Sequence, residues 1–205
     1  MDLMKELLKK AQQVEIINLQ NETTMVTFEA NQLKSCRVTE TNGTAVRVVR
    51  DGRLGFAASS DKRAITKLAS NVLESATYGD RLTIDFPMTQ QAAEVRTYDP
   101  KIVEMSIPRL VEIGREIIDQ VLPVEPDARV NINLKRTMQS SHLQNQTALD
   151  INFKSSPLTF ELEINRIIGD DVLIIFDIVG TCEWEKDYLG FARKLVEKLK
   201  LARNL

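Results

Sequence analysis

The sequence predicts an α+β fold, two antiparallel β-meanders each packed by helices on a loosely duplicated helix–meander–helix plan. Apolar residues recur at helical spacing in four separate stretches. Between these stretches lie runs in which apolar and polar side chains alternate, as on a half-buried strand. Turn dipeptides punctuate those runs where hairpins would need them.

The first helix is marked by Leu3, Met4, Leu7, Leu8 and Ala11. From Val14 the period changes to two. Val26, Phe28 and Ala30 alternate with Thr27 and Glu29, Asn31-Gln32 breaks the run, and Cys36 and Val38 resume it. Asn42-Gly43 and Asp51-Gly52 supply residues that tolerate positive φ, so both are expected to be two-residue hairpin turns. Thr44–Arg50 is then one strand, and Arg53–Ala58 returns antiparallel to it. Ser59-Ser60-Asp61 offers helix N-caps. The stripe Ala64, Ile65, Leu68, Ala69, Val72, Leu73 and Ala76 makes the following helix, which ends before Gly79.

Residues 79–105 read as a connector, with a turn at Tyr98-Asp99-Pro100. Ser106 opens a helix with Pro108 in its first turn and a stripe of Leu110, Val111, Gly114, Ile117, Ile118 and Val121. Alternation returns in Val130, Ile132 and Leu134, and again in Leu158, Phe160, Leu162 and Ile164. Gly169-Asp170-Asp171 turns the chain into Val172–Val179, whose nearly continuous apolar character predicts a strand covered on both faces. Glu183–Leu205 is the last helix, with Tyr188, Phe191, Ala192, Leu195, Val196 and Leu199 on one side. The plan gives two units, 1–78 and 106–205, around the 79–105 connector, together one compact domain.

The 205 residues, 43% hydrophobic and 27% charged, can bury a core without metal or disulfide staples. A net charge of −2 argues against a general nucleic-acid or acidic-membrane binder. The amino terminus lacks the apolar core of a signal peptide, and the longest apolar run, Val172–Phe176, is far too short to cross a bilayer. Cys36 and Cys182 fit reduced thiols of a cytoplasmic protein, both expected to be inert in the core.

Catalytic chemistry finds little support. Zinc requires three or four converging ligands, and His142 is the one histidine, expected in a loop or strand without a ligand role. There is no Gly-x-Ser-x-Gly elbow, no phosphate-binding loop and no Gly-x-Gly-x-x-Gly. No carboxylate pair is singled out by apolar flanks. Arg47, Arg50 and Arg53, with Lys34 and Arg37 nearby, form a candidate anion or peptide-binding patch. The same residues also suit a solvated sheet face paired with Glu29 and Glu40, favoured because no aromatic residues interleave with them.

The segments Glu29–Ser35, Gly43–Val49 and Asp51–Ser59 resemble the amino-terminal signature of the TldD/PmbA family, described as peptide-processing metallopeptidases and as proposed modulators of DNA gyrase. Tyr98-Asp99-Pro100, the Ser106–Leu122 helix and the Val130–Leu134 strand resemble the family in the same order. A departure lies at Asn145-Gln146-Thr147-Ala148, which keeps only the Asn of the family's Asn-Ser-x-Gly-like turn. The family's peptidase centre, His-Glu-x-x-x-His plus a distant Cys in a carboxy-terminal half, has no counterpart in these residues. The resemblance therefore implies no catalytic residue and no cofactor in this chain, with zinc in a further half or a partner subunit. It implies a homo- or hetero-oligomer with a TldD/PmbA-like subunit, in the cytoplasm, supporting peptide binding or subunit assembly. The alternative is a free-standing peptide- or protein-binding protein without peptidase activity.

Overall fold

A computed structural model describes residues 2–61, 63–83, 85–88, 94–185 and 187–202. Residues 84 and 89–93 of the predicted connector, and Lys186 and 203–205 of the predicted last helix, lie outside the described residues, as do Met1 and Lys62. The element order is α1 (Leu3–Leu8), β1 (Gln13–Glu29), β2 (Gln32–Arg50), β3 (Arg53–Ser59), α2 (Ile65–Tyr78), α3 (Pro100–Val103), α4 (Ile107–Val121), β4 (Arg129–Asn145), β5 (Asp150–Ser155), β6 (Leu158–Ile168), β7 (Asp171–Thr181) and α5 (Gly190–Ala202). The α+β class is as predicted. The strands form a seven-stranded sheet in the order β3-β2-β1-β4-β6-β7, with β5 paired to β4. β2–β3, β4–β6 and β6–β7 pair antiparallel. β1 and β4 do so too, because Gln146 N donates to Val14 O whereas Asn31 N donates to Val130 O.

The chain divides into two compact units that interleave along the sequence. The first takes Met1–Asn21, Glu40–Val95 and Gln139–Lys154; the second takes Glu22–Thr39, Arg96–Met138 and Ser155–Leu205. β1, β2 and β4 each give one stretch to each unit.

In the first unit, Val14, Ile16, Val46 and Val48 from the strands bury against Leu7 of α1 and Leu68, Val72 and Ala76 of α2. Helix α2 lies close on β3 because position 55 is glycine: a Cβ there would stand 2.3 Å from Val72 O. Asp51-Gly52 forms its expected turn, with φ of 51° and 70°. The other hairpin differs from expectation. β2 runs straight through Asn42-Gly43, neither of which has positive φ, and the chain reverses at Ala30-Asn31, with φ of 46° and 70°. Tertiary bonds decide this, since Asn31 Oδ1 accepts from Val130 N at 2.8 Å and Asn31 Nδ2 donates to Ala128 O at 2.9 Å. Helix α2 begins at Ile65 with Ala64 at its cap and no side-chain cap bond, so Ser59-Ser60-Asp61 do not cap it. Asp61 N instead donates to Ser59 Oγ within the preceding loop.

In the second unit, Val130, Ile132, Leu134, Phe160, Leu162 and Ile164 line one face of the sheet and pack under α4 and α5. Ser106 caps α4 by accepting from Arg109 N. Tyr98-Asp99-Pro100 leads into the one-turn α3, capped by Asp99. β4 extends to Asn145, so the polar stretch around His142 is strand. Helix α5 starts at Gly190 rather than Glu183.

Two burial expectations fail. Cys36 is exposed, because β2 from Gln32 to Thr41 is exposed on both faces. β7 is not covered on both sides: Leu173 and Ile175 pack toward the helices, whereas Val172, Ile174, Phe176 and Ile178 are 52–60% exposed. An apolar run reports hydrophobicity but not whether a second layer exists to cover it.

Candidate functional site

The side of the second unit's sheet opposite its helices carries the most distinctive surface. Period-two geometry puts Thr27, Asn131, Asn133, Glu161, Glu163 and Asn165 there, because their neighbours in sequence fill the core. The register sets Asn133 opposite Glu161 and Asn131 opposite Glu163. A hydrogen-bonded ladder follows. Thr27 Oγ1 donates to Asn133 Oδ1 at 3.0 Å, and Asn133 Nδ2 donates to Glu161 Oε2 at 3.0 Å. Asn131 Nδ2 and Asn165 Nδ2 both donate to Glu163 Oε1, at 2.9 and 2.7 Å. Asn165 Oδ1 is buried with no hydrogen-bond partner among the described residues.

Beside this ladder stands the apolar row of β7. Ile174 is opposite Asn165, Phe176 opposite Glu163 and Ile178 opposite Glu161. Two shallow depressions lie along the boundary. One of about 280 Å3 is lined by residues including Arg129, Asn131, Asn165, Val172 and Ile174. The other, of about 200 Å3, includes Thr27, Asn133, Glu161, Glu163 and Phe176. The surface offers an apolar wall beside amide and carboxylate acceptors, which is a binding chemistry.

The predicted arginine patch is distributed differently. Arg47 pairs with the buried Glu15 and lies over the Phe86 ring at 5.3 Å. Arg53 donates to Gly79 O at 2.8 Å, and Arg50 lies 3.6 Å from Asp51. Arg50 and Arg53 are register partners at the hairpin end, whereas Arg47, three residues before Arg50, projects from the opposite face. Lys34 pairs with Glu29 at 2.8 Å, which holds the Glu29 carboxyl below its ordinary value.

His142 Nε2 lies 2.8 Å from Asp150 Oδ1, and the amide of Gln144, then this His142 contact, hold the Asp150 carboxyl below its ordinary value. Among the described residues no three His, Cys, Asp or Glu side chains converge to hold a metal ion, so those residues do not fit a zinc centre. Asn145 keeps a role in its altered turn: it is buried, its Oδ1 accepts from Thr147 N and Leu149 N, and Nδ2 donates to Pro87 O. Ala148 there takes a φ of 61°, the left-handed conformation that a glycine would adopt freely.

A second polar cluster sits where α4 meets the segment before α5. Arg109 donates to Glu112 at 2.6 Å, Glu116 at 3.0 Å and Tyr188 Oη at 2.7 Å, and Tyr188 in turn donates to Glu116. Burial, then the Glu116 hydrogen bond, pushes the Tyr188 phenol up. Burial opposes the charge of Arg109, but its acidic and phenolic partners outweigh it and raise its pKa. Trp184 stacks on Tyr188 with ring centres 4.7 Å apart.

Glu161, Glu163, Asn131 and Asn133 were not singled out as site residues from sequence. The signal was present in the i, i+2 repeats Asn131-x-Asn133 and Glu161-x-Glu163, which place like groups on one face of adjacent strands.

The fold is of the α+β class, a seven-stranded sheet with helices. Residues 14–76 match the family model described as PmbA/TldA metallopeptidase domain 1. No curated protein matches the sequence. Among solved structures, TldE from Thermococcus kodakarensis shares the fold with a TM-score of 0.85 at 20% identity, over 97% of this chain and 46% of that one. A proposed DNA gyrase modulator from Thermotoga maritima matches with a TM-score of 0.81 at 12% identity, over 96% and 46%. Another from Bacteroides thetaiotaomicron matches with 0.81 at 13%, over 97% and 48%. The chain thus spans about half the length of these structures.

Proposed function

We propose that this chain is a non-catalytic module of a TldD/PmbA-type peptide-processing system, supporting substrate-peptide binding or subunit assembly. The observation that carries the reading is the helix-free face of the second unit, where an exposed apolar row borders a ladder of amides and carboxylates. Such a surface suits polypeptide, which presents apolar side chains and backbone donors together. The match of residues 14–76 to the first domain of the family supports the same system. In this reading the zinc belongs to another domain or to a partner subunit, and the module works in the cytoplasm as part of a homo- or hetero-oligomer.

The test is to tag the chain, express it in its source cells and identify what co-purifies by mass spectrometry. Recovery of a longer relative bearing His-Glu-x-x-x-His is the expected result. Zinc content of the purified chain is measured in parallel. Stoichiometric, tightly held zinc together with peptidase activity from the chain alone would overturn the reading.

The edge of β7, which among the described residues takes no second strand, also favours a second reading, a free-standing binder that captures an extended peptide by strand addition. Recovery of the chain with peptides but no larger subunit selects it.

A further inference from the structure

We propose that the helix-free face of the second unit takes the carboxy-terminal end of an extended peptide whose last residue is apolar and whose second and fourth residues before it are basic. The proposal rests on the peptide-binding part of the function given above and names the class of peptide.

The face is laid out in rows two residues apart, a step of about 7 Å. Register sets Arg129, Asn165 and Ile174 in one row. Asn131, Glu163 and Phe176 form the next, and Asn133, Glu161 and Ile178 a third. An extended peptide has the same two-residue step, so its alternate side chains meet successive rows.

Charge changes sign along these rows. Glu161 and Glu163 are half-buried, and their hydrogen bonds come from neutral amides, Asn133 for the first and Asn131 with Asn165 for the second. These bonds use Glu161 Oε2 and Glu163 Oε1, so among the described residues the other oxygen of each carboxylate has no partner, and no cation pairs with either group. Two like charges two residues apart on one strand face favour a cationic partner. Phe176 and Ile178, 54% and 52% exposed, stand beside them. They offer an apolar flank to the stem of a lysine or arginine, and Phe176 adds a ring to its charge.

The first row has the opposite sign. Arg129 is exposed, and among the described residues no acid pairs with it. It lines the depression whose apolar wall is Ile167, Val172 and Ile174, 54–60% exposed. A guanidinium beside an apolar wall fits a group that carries a carboxylate and an apolar side chain on one carbon, which is the last residue of a peptide. Glu29 lines the same depression, but Lys34 pairs with it at 2.8 Å and offsets its charge. At the far end Lys135 is also exposed, yet it stands opposite Thr159, with Gly180 beyond, and has no apolar wall. The peptide's carboxylate therefore belongs at Arg129, and the chain runs back from there past Glu163 and Glu161.

The test is fluorescence anisotropy of the full chain with the peptide Gly-Lys-Ala-Lys-Ala-Leu, labelled at its amino end and free at its carboxyl end. Saturable binding is expected. The carboxy-terminal amide, and a peptide with both lysines replaced by glutamate, should each bind about tenfold more weakly. The double variant Glu161→Gln, Glu163→Gln should lose about tenfold for the lysine peptide and nothing for Gly-Gln-Ala-Gln-Ala-Leu. Arg129→Gln should remove the difference between acid and amide, and all variants should keep the wild-type unfolding midpoint. Equal binding of acid and amide, or of lysine and glutamate peptides, would overturn the proposal and leave the peptide-binding reading standing. No saturable binding of any of these peptides up to millimolar concentration overturns both, and recovery of a TldD/PmbA-type subunit from cells would then leave assembly as the role.

Discussion

Arg136 turns its guanidinium back onto the Val103 and Met105 carbonyls and the Thr24 hydroxyl, with Glu22 3.6 Å away, and its side chain is 11% exposed. Removing it leaves buried acceptors without donors. Arg136→Ala should cost about 2–4 kcal/mol in urea unfolding, and Arg136→Lys should recover only part because an ammonium cannot reach the same fan of acceptors. A loss within the scatter of surface substitutions would refute this assignment. In sequence Arg136 looks like one more polar member of an alternating strand, and only the tertiary neighbours show that it is spoken for. Asp99 is a second instance. Backbone N–H groups of Trp184 and then Lys101 hold its carboxyl below the ordinary value. A lowered folded pKa contributes stability that is present above the unfolded value and lost as pH falls through the folded one. The stability gap between wild type and Asp99→Ala should therefore be full at neutral pH and shrink as the solution is acidified below the usual Asp range. A gap that stayed constant down to strongly acid pH would contradict it.

Elements depend on where close approach is permitted. Gly114 in α4 faces Phe28 of β1, and a Cβ would fall 2.1 Å from Phe28 Cε2. The helix stripe was legible from spacing, but the reason for a glycine within it was not. Gly114→Ala removes a helix-weakening residue and yet should destabilise by about 1–3 kcal/mol through overpacking, measured by thermal or urea unfolding. The hairpins make a similar point. Asn42-Gly43 has better turn chemistry than Ala30-Asn31, but Asn31 is bonded through its side chain to Ala128 and Val130. Asn31→Ala should therefore cost about 1–3 kcal/mol, and Asn42→Ala no more than about 0.5. The reverse order in a paired unfolding experiment would show that the local turn preference governs after all.

At the scale of the whole molecule, the surface rather than the core carries the functional question. The exposed row on β7 and its neighbouring ladder predict that the chain holds peptide through the second unit. Hydrogen exchange offers a check: amides of Val172, Ile174 and Phe176 should exchange more slowly as an extended peptide is titrated in, while those of the exposed stretch of β2 should not change. Equal behaviour of the two strands would remove β7 from the binding surface.

Periodicity together with local turn and cap chemistry determined the α+β class, the α4 cap at Ser106, the Asp51-Gly52 turn and the alternation of β4 and β6. These follow from local sterics and from the need of each element to bury one side, information carried by residues close in sequence. The 29–59 stretch that resembles the TldD/PmbA family lies within residues 14–76, which match that family's first-domain model. Tertiary structure decided the rest: that β2 ignores Asn42-Gly43, that Cys36 is exposed, that Arg47 belongs to Glu15 and Phe86, and that β7 lacks a second covering layer. Each of these depends on partners distant along the chain, and the sequence around a residue does not say which distant atoms will meet it.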